Sequence, residues 1–581
     1  MDRYFSLLKS WCDKLIDFQI TERTHPAFYG GILCPACVSM HGRIADAVYP
    51  FVYLYDKTGE DKYLQAAKRA LIWSENNVFR KSGAVFNEKK QDWRGISVFT
   101  AIALGDTLYY HASCLDDETR HAITARFKRI VDYIRVFFVS PKFHANVNYP
   151  VSLCAALALA YKIFGDEAYK TEAYAAYDRV KGFFTPEGLL HGEGPRTPTA
   201  HKGCYYVDLG YNVEESLTSI AVFGHHMEDE DVLKKAADAY KAHIAFMLPD
   251  GAWDNSFGTR ENKWTYWGSR TSDGAGEGLC YLTAYGDELT EACERNFELL
   301  ERCTKDGALY GGVSYIDMDE EACVHHAFCH AKALAAMLDS GFAPKKRVKL
   351  PREEAYGIKY YPSLHVNLIA KGVWRATVSD TDAVCYRGAA VSGGTVSALW
   401  TEKTGMLAAA EQAQFLQTEP TNMQLSRHDD EVWNTAIRIT RGDDESVNDV
   451  KAVVETAETA EGITVSAKGV LRDVDFRGET PYTLTYRFGD DAFTVTAACE
   501  KDAVLWLPLF ATWDEPVEVT ADGALIRKKN AVVEIKPKGC TLVMPEDLAA
   551  RRFHVVGGFA SVPMKVELKA GMAAEVTVTV R

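Results

Sequence analysis

Over about the first 340 residues, apolar side chains recur at helical spacing in runs separated by Gly and Pro. The segments ADAVYPFVYLYDKTG, DKYLQAAKRALIWSENN, ISVFTAIALGDTLYYHAS, VSLCAALALAYKIFG, EAYKTEAYAAYDRVKGFF and VLKKAADAYKAHIAFML come in pairs. In each pair a rather apolar helix is followed, across a turn such as DKTGED or FGDEAY, by a more amphipathic one. A helix apolar on all sides belongs inside and an amphipathic one outside, so the pairing predicts two layers of helices. The loops after each pair also repeat. Ser82-Gly83-Ala84-Val85, Glu187-Gly188-Leu189-Leu190, Asp250-Gly251-Ala252-Trp253 and Asp306-Gly307-Ala308-Leu309 share a turn, a Gly and an apolar residue, and loops around Gly30-Gly31 and Pro141 sit at compatible positions. Intervals of roughly 45 to 65 residues predict about six helical hairpins in an (α/α) toroid, with its loops on one rim; an irregular helical bundle is the alternative.

After the charged, Pro-bearing stretch APKKRVKLPREEA the period changes to two. HVNLIAKG, WRATVSD, GGTVSALW, NTAIRITR, GITVSAKGVL, YTLTYRF, AFTVTAA, NAVVEIK, KVELK and AAEVTVTV read as short strands between turn residues. So many strands without intervening helices predict an antiparallel β-sandwich. The expected fold is multidomain α and β: a catalytic toroid over residues 1–345 and a sandwich over 346–581.

Composition narrows the function classes. No 18-residue apolar run exists to span a bilayer. A net charge of −15 argues against a duplex nucleic-acid binder, which needs a basic stripe, yet leaves open an anionic substrate held by a local cluster of cations. The opening MDRYFSLLKSWCDKLIDF is amphipathic and lacks a small-residue cleavage site, so the expected location is cytoplasmic. Fourteen cysteines, eleven of them before residue 345, are too scattered for a secreted disulfide scaffold and read mostly as buried thiols.

Candidate chemistry lies in the rim loops, where a rigid scaffold usually presents it. Asn146 and Asn148 precede a proline that opens a helix. The next loop carries His191, Arg196, His201, Tyr205, Tyr206, Asp208 and Tyr211. A further one sets Arg260 and Arg270 among Trp253, Trp264, Tyr266 and Trp267. Aromatic faces stack on sugar rings and Arg holds carboxylates bidentately, so these loops suit an acidic glycan. Each residue also has a structural reading: Asn148 as a helix cap, a tyrosine as packing, Arg260 paired with Glu261, and the tryptophans as contact between the two domains.

A helical toroid followed by a β-sandwich resembles the polysaccharide lyases of the chondroitin AC/hyaluronate lyase and heparinase II/III type, over essentially the whole chain. In that family an Asn before a helix, then His and Tyr in a long loop, then Arg, form the active site. Asn148, His201, Tyr206 or Tyr211, and Arg260 stand here in that order, although the family's Asp-Gly-Ser-Phe lead is replaced by Glu187-Gly188-Leu189-Leu190. The resemblance implies β-elimination at a uronic acid. Asn148 and Arg260 neutralise its carboxylate, Tyr206 serves as leading acid or base with His201, Tyr211 is second choice, and the late toroid histidine His326 is a reserve base. Such chemistry stabilises an enolate-like intermediate and requires no metal.

Cys34-Pro-Ala-Cys37, followed by His41 and Arg43, and the segment VHHAFCHAKALAAML form a further constellation. Together they offer a zinc set of Cys34, Cys37, Cys329 and His330, or a cleft wall of His41, Arg43 and His326 without metal; zinc or calcium therefore stays open. Two rival functions are a toroid glycoside hydrolase of the unsaturated glucuronyl hydrolase or arabinofuranosidase type, drawing carboxylates from Glu193, Asp208, Asp254 and Asp273, and a noncatalytic glycan-binding protein. On the lyase reading, Arg196, Arg260 and Arg270 are expected to form a positive site for an anionic oligo- or polysaccharide.

Overall fold

The computed structural model describes residues 2–140, 143, 146–410 and 434–581. Six inner helices, Val48–Thr58, Ser97–His111, Asn148–Phe164, Leu217–Met227, Gly276–Tyr281 and Val324–Asp339, form a closed ring among the described residues: each touches the next and the last touches the first. Three of them, Val48–Thr58, Ser97–His111 and Asn148–Phe164, are the apolar members of the predicted pairs. In Ser97–His111 only Tyr109 and Tyr110 escape full burial. The outer members bury a stripe instead, as Asp117–Phe137 does with Ile123, Phe127, Ile130, Val131 and Ile134. The ring closes with a pair from its two ends, because the first helix, Asp2–Asp17, packs outside Val324–Asp339.

Inner-to-outer turns are short and locally encoded. Gly165 stops one helix at φ +68° and Asp166 caps the next, its carboxylate accepting from the Ala168 N–H. Outer-to-inner connections make the rim. In three of the four repeats the Gly motif makes an isolated bridge six residues wide, Phe79 with Val85, Phe184 with Leu190, and Met247 with Trp253, while in the fourth Thr304–Lys305 pairs with Ala308–Leu309 as a short hairpin. Gly83 and Gly251 must be glycine, with φ +96° and +93°; a Cβ there would lie 2.0 Å from the Arg129 carbonyl oxygen and 2.2 Å from that of Arg295. The loop around Gly30 also closes on an isolated bridge, a wider one between Gln19 and Ile32. In the loop around Pro141, residues 141–142 and 144–145 lie outside the described residues.

The last toroid helix ends at Asp339 and the first sandwich strand begins at Gly357. Five strands from Gly357–Tyr361 to Gly405–Ala409 form an antiparallel meander. An eight-stranded antiparallel sheet runs from Val453–Thr459 at one edge, through Ala492–Cys499 and Ala573–Val580, to Val517–Thr520 at the other. The remaining sheet is built on Ala503–Phe510 and Phe559–Leu568. Strict alternation, as in Ala492–Cys499, turns Phe493, Val495 and Ala497 into a core shared by all three sheets.

The sandwich docks on the toroid rim, which fixes the long loops. Arg352 and Asp254, both fully buried, pair at 2.7 Å across the junction. Lys202 pairs with Asp380 at 2.7 Å, and the Gly557 N–H donates to the Trp264 carbonyl at 2.8 Å. Trp264 and Tyr266 close on Phe559, with ring centroids 5.8 and 5.1 Å away. No helix among the described residues is long and apolar enough to cross a membrane.

Candidate active site

Asn148 opens an inner helix and is fully buried. Its backbone N–H donates to Glu193 Oε1 at 3.0 Å and its amide Nδ2 to Glu215 Oε2 at 2.6 Å. Arg260 reaches the same Glu193 through Nη1 at 3.3 Å, and its guanidinium lies over the Tyr211 ring at 4.1 Å. Asp208 fixes the backbone of both partners, accepting from the Tyr211 N–H at 2.9 Å and the Arg260 N–H at 3.0 Å. The Tyr211 hydroxyl is 3.2 Å from the Arg270 carbonyl and 3.1 Å from Thr271 Oγ1. Beyond Glu215, Arg43 pairs at 3.6 Å and also binds Asp46 and Asp273, while Lys332 takes the other oxygen of Asp273 at 2.7 Å. Asn148, Tyr211 and Arg260 thus share one buried network.

The adjacent pair Glu214-Glu215 comes from a π-helical turn, Asn212–Ser216, just ahead of inner helix Leu217–Met227. Such turns recur at functional sites because they re-aim side chains at little cost. Here Glu214 takes the Ser269 N–H at 2.8 Å and His330 Nε2 at 3.2 Å, while Glu215 takes Asn148. Burial pushes Glu193 up to about 7, with Asp208 and Glu215 adding to the rise against the opposing Arg260. Burial does the same to Glu215, to about 7, against Arg43 and the Asn148 amide. Burial thus shifts both carboxyls toward their protonated form near neutral pH. Tyr149, beside Arg260 and Tyr211, keeps its proton because burial raises its pKa.

Other expected residues fall elsewhere. Tyr206 is half-buried against Gly194 on the sandwich side, near Cys385, and burial raises its pKa. His201 is exposed and Asn146 half-buried. Tyr205 is held at the junction, its N–H donating to the Ser363 carbonyl at 2.8 Å. Three expectations need correction. Trp253, Trp264 and Trp267 are fully buried and Tyr266 nearly so; Trp264 Nε1 donates to the Trp253 carbonyl and Tyr266 to Asp250, so these rings bind loop and sandwich rather than sugar. Arg196, Arg260 and Arg270 do not build one positive site: Arg196 is exposed over Phe183, Arg260 holds Glu193, and Arg270 is buried on the Val555 carbonyl. His326 is buried edge-on to Trp267, its pKa pushed well below the usual value by burial and by Arg270, which leaves it neutral and outside the Asn148 network.

The expected zinc quartet is also rearranged. Cys34 and Cys37 come together with Cys323, not with Cys329 and His330. Cys329 lies instead against Asp46 and Asp273, where burial pushes its thiol up to about 12, and His330 is held by Glu214. His41 caps the turn Gly42–Ala47 and Arg43 neutralises the acids around it. The hydrolase carboxylates are likewise engaged: Asp254 by Arg352, Asp273 by Arg43 and Lys332, and Asp208 by backbone N–H groups. Sequence reasoning misses Glu215, although two adjacent acids inside the apolar run LGYNVEESLTSIAVF are its signal.

A closed helical toroid capped by a β-sandwich is an arrangement shared with a solved polysaccharide lyase. Heparinase III superposes with a TM-score of 0.55 at 12% identity, covering 97% of this chain and 78% of that one. The family model described as the ulvan lyase N-terminal domain matches residues 8–353, and that of the ulvan lyase C-terminal domain matches residues 358–581. The broad-specificity ulvan lyase of Formosa agariphila is 36% identical over 583 residues, covering 96% of this chain and 91% of that protein. The chain belongs to the ulvan lyase family and is a polysaccharide lyase, which removes the hydrolase and the noncatalytic readings.

Proposed function

We propose that this enzyme cleaves an anionic, uronate-bearing polysaccharide of the ulvan class by β-elimination, with Tyr211 as its acid and base. The observation that carries the assignment is Arg260, which touches both Tyr211 and the Glu193 that Asn148 also holds. The substrate carboxylate takes the Asn148 amide, Arg260 and the protonated forms of Glu193 and Glu215 as its partners. Together they stabilise the enolate that forms when the proton alpha to that carboxylate leaves. The phenolate oxygen of Tyr211, beside the Arg260 guanidinium, takes this proton from C5. The C4–O bond then breaks, the departing oxygen receives the proton from the tyrosine, and a C4–C5 double bond remains.

Ulvan and a panel of other uronate glycans, followed by the ultraviolet absorbance of the unsaturated uronate, test the substrate. Tyr211→Phe is expected to abolish turnover, and Arg260→Ala to lower kcat/KM by about a hundredfold or more. Tyr206→Phe is expected to stay within about tenfold of the parent, since its hydroxyl lies outside the network. Loss of turnover in Tyr206→Phe with activity retained in Tyr211→Phe overturns the assignment; no absorbance change on any uronate glycan overturns the substrate class.

A further inference from the structure

The elimination chemistry leaves one cluster unused. Cys34 Sγ and Cys37 Sγ each lie 3.7 Å from Cys323 Sγ, and all three sulfurs fall within 4.8 Å of one another. A tetrahedral ion with bonds of about 2.3 Å sets its sulfurs about 3.8 Å apart, so the two spacings to Cys323 already match two edges of such a site. Cys34 and Cys323 are buried and Cys37 half-buried, which gives an ion a way in. In the Cys34–Cys37 turn backbone N–H groups close on the first cysteine. The Cys37 N–H donates to Cys34 Sγ at 3.4 Å, the Val38 N–H returns to the Cys34 carbonyl at 2.9 Å, and Val38 takes φ +50° to do so.

Two neighbours point the same way. Arg270 is buried with its Nε and Nη1 lacking hydrogen-bond partners among the described residues, and its charge reaches Cys37. Three thiolates around a divalent ion carry one net negative charge, which this guanidinium offsets. His325 is buried and feels the charge of Cys34, and its Nε2 has no hydrogen-bond partner among the described residues.

We propose that Cys34, Cys37 and Cys323 bind a zinc ion that staples the first rim loop to the start of the last inner helix. On binding, each thiol releases a proton to solvent and three Zn–S bonds form; no oxidation is involved. Residue 34 and residue 323 belong to opposite ends of the toroid chain, so the ion closes the ring beside the contact of Asp2–Asp17 with Val324–Asp339. It also steadies the loop bearing His41, whose Nδ1 accepts from the Arg43 N–H at 3.2 Å, and hence the cation that faces Glu215.

Elemental analysis of the full chain, purified without chelators, is expected to give about one zinc per chain. Cobalt exchanged into the site is expected to show the intense near-ultraviolet charge-transfer band of thiolate ligation, and Cys323→Ser to weaken zinc retention by about tenfold or more. If Cys323→Ser does not fold, mercurial titration of the parent protein serves instead: modifying the trio should release one zinc per chain to a chromogenic chelator. Metal-free protein with three titratable thiols and no cobalt band overturns the site, as does a disulfide within the trio.

Discussion

Glu215→Gln separates a buried neutral acid from a buried charge. The Glu215 carboxyl is pushed by burial to about 7, against 4.5 for an unburied glutamate, even with Arg43 and Asn148 opposing the rise. Its folded-state pKa is raised, so the stabilising protonation is fully present below the unfolded value of 4.5 and is lost as pH rises through the folded value of about 7. Every tenfold gain in proton affinity on folding is worth about 1.4 kcal/mol, so the full penalty for ionising this carboxyl is about 3 kcal/mol. Glutamine is neutral at every pH and keeps an amide oxygen for the Asn148 Nδ2 donor, so the variant removes the titration together with the 3.6 Å ion pair to Arg43. The stability difference between Glu215→Gln and the parent is expected to move in favour of the variant by about 1.4 kcal/mol per pH unit between about pH 5 and about pH 7, then to level off. The assay is the unfolding of both proteins by urea across that range, followed by circular dichroism at the helical band that reports the toroid. A difference that stays flat with pH means that Glu215 is ionised throughout in the folded protein, and refutes the donor role given to its protonated form.

Deprotonation of Glu193 and Glu215 above about pH 7 sets negative charge against the substrate carboxylate, so KM should rise there while Glu215→Gln blunts the rise; initial rates against pH decide it. Arg352→Met leaves Asp254 charged and unpaired at the domain junction, and is expected to cost about 3–5 kcal/mol by chemical denaturation. Arg527→Met, which removes an exposed pair with Glu518, is expected to leave the denaturation midpoint nearly unchanged, and similar losses in both variants contradict the role given to burial. Gly83→Ala forces a Cβ to within 2.0 Å of the Arg129 carbonyl at φ +96° and should lower stability by about 2 kcal/mol or more, read as a shift in the denaturation midpoint. Trp264→Ala empties a fully buried site between toroid and sandwich and is expected to cost about 3–5 kcal/mol without a selective effect on KM; a KM rise with stability intact would return that ring to the substrate.

The fold was legible because it is written in period. Ser97–His111 is apolar all round and Asp117–Phe137 carries one stripe, so their layers follow from burial alone, and the switch to alternation after Pro351 announces strands. Strands without that contrast were not legible. Val453–Thr459, reading VVETAET, is an exposed edge with little apolar signal, and Ala503–Phe510, reading AVLWLPLF, runs apolar on both faces. The ring closure between Asp2–Asp17 and Val324–Asp339 could not be read from neighbours in sequence, because its partners stand more than 300 residues apart.

The site was legible in residue type but not in membership, and the reason lies in where the sandwich sits. A rim loop bearing Trp, Arg and Tyr has the composition of a sugar cleft whether its rings face solvent or a second domain. Here Gly557, Val555 and Phe559 arrive from beyond residue 550 to cover Trp264 and Arg270, which turns two expected binding residues into junction. The same arrival explains Tyr206 and Tyr211. They lie five positions apart in one loop, but Asp208 between them caps the turn Leu209–Tyr211, so the chain changes direction. Tyr206 is left on an extended segment facing Cys385, while Tyr211 enters the toroid floor beside Arg260. Only the capping carboxylate distinguishes the two tyrosines in sequence, and its spacing, three residues before Tyr211, is the N-cap signal that assigns Tyr211 to a helix start and Tyr206 to the loop before it.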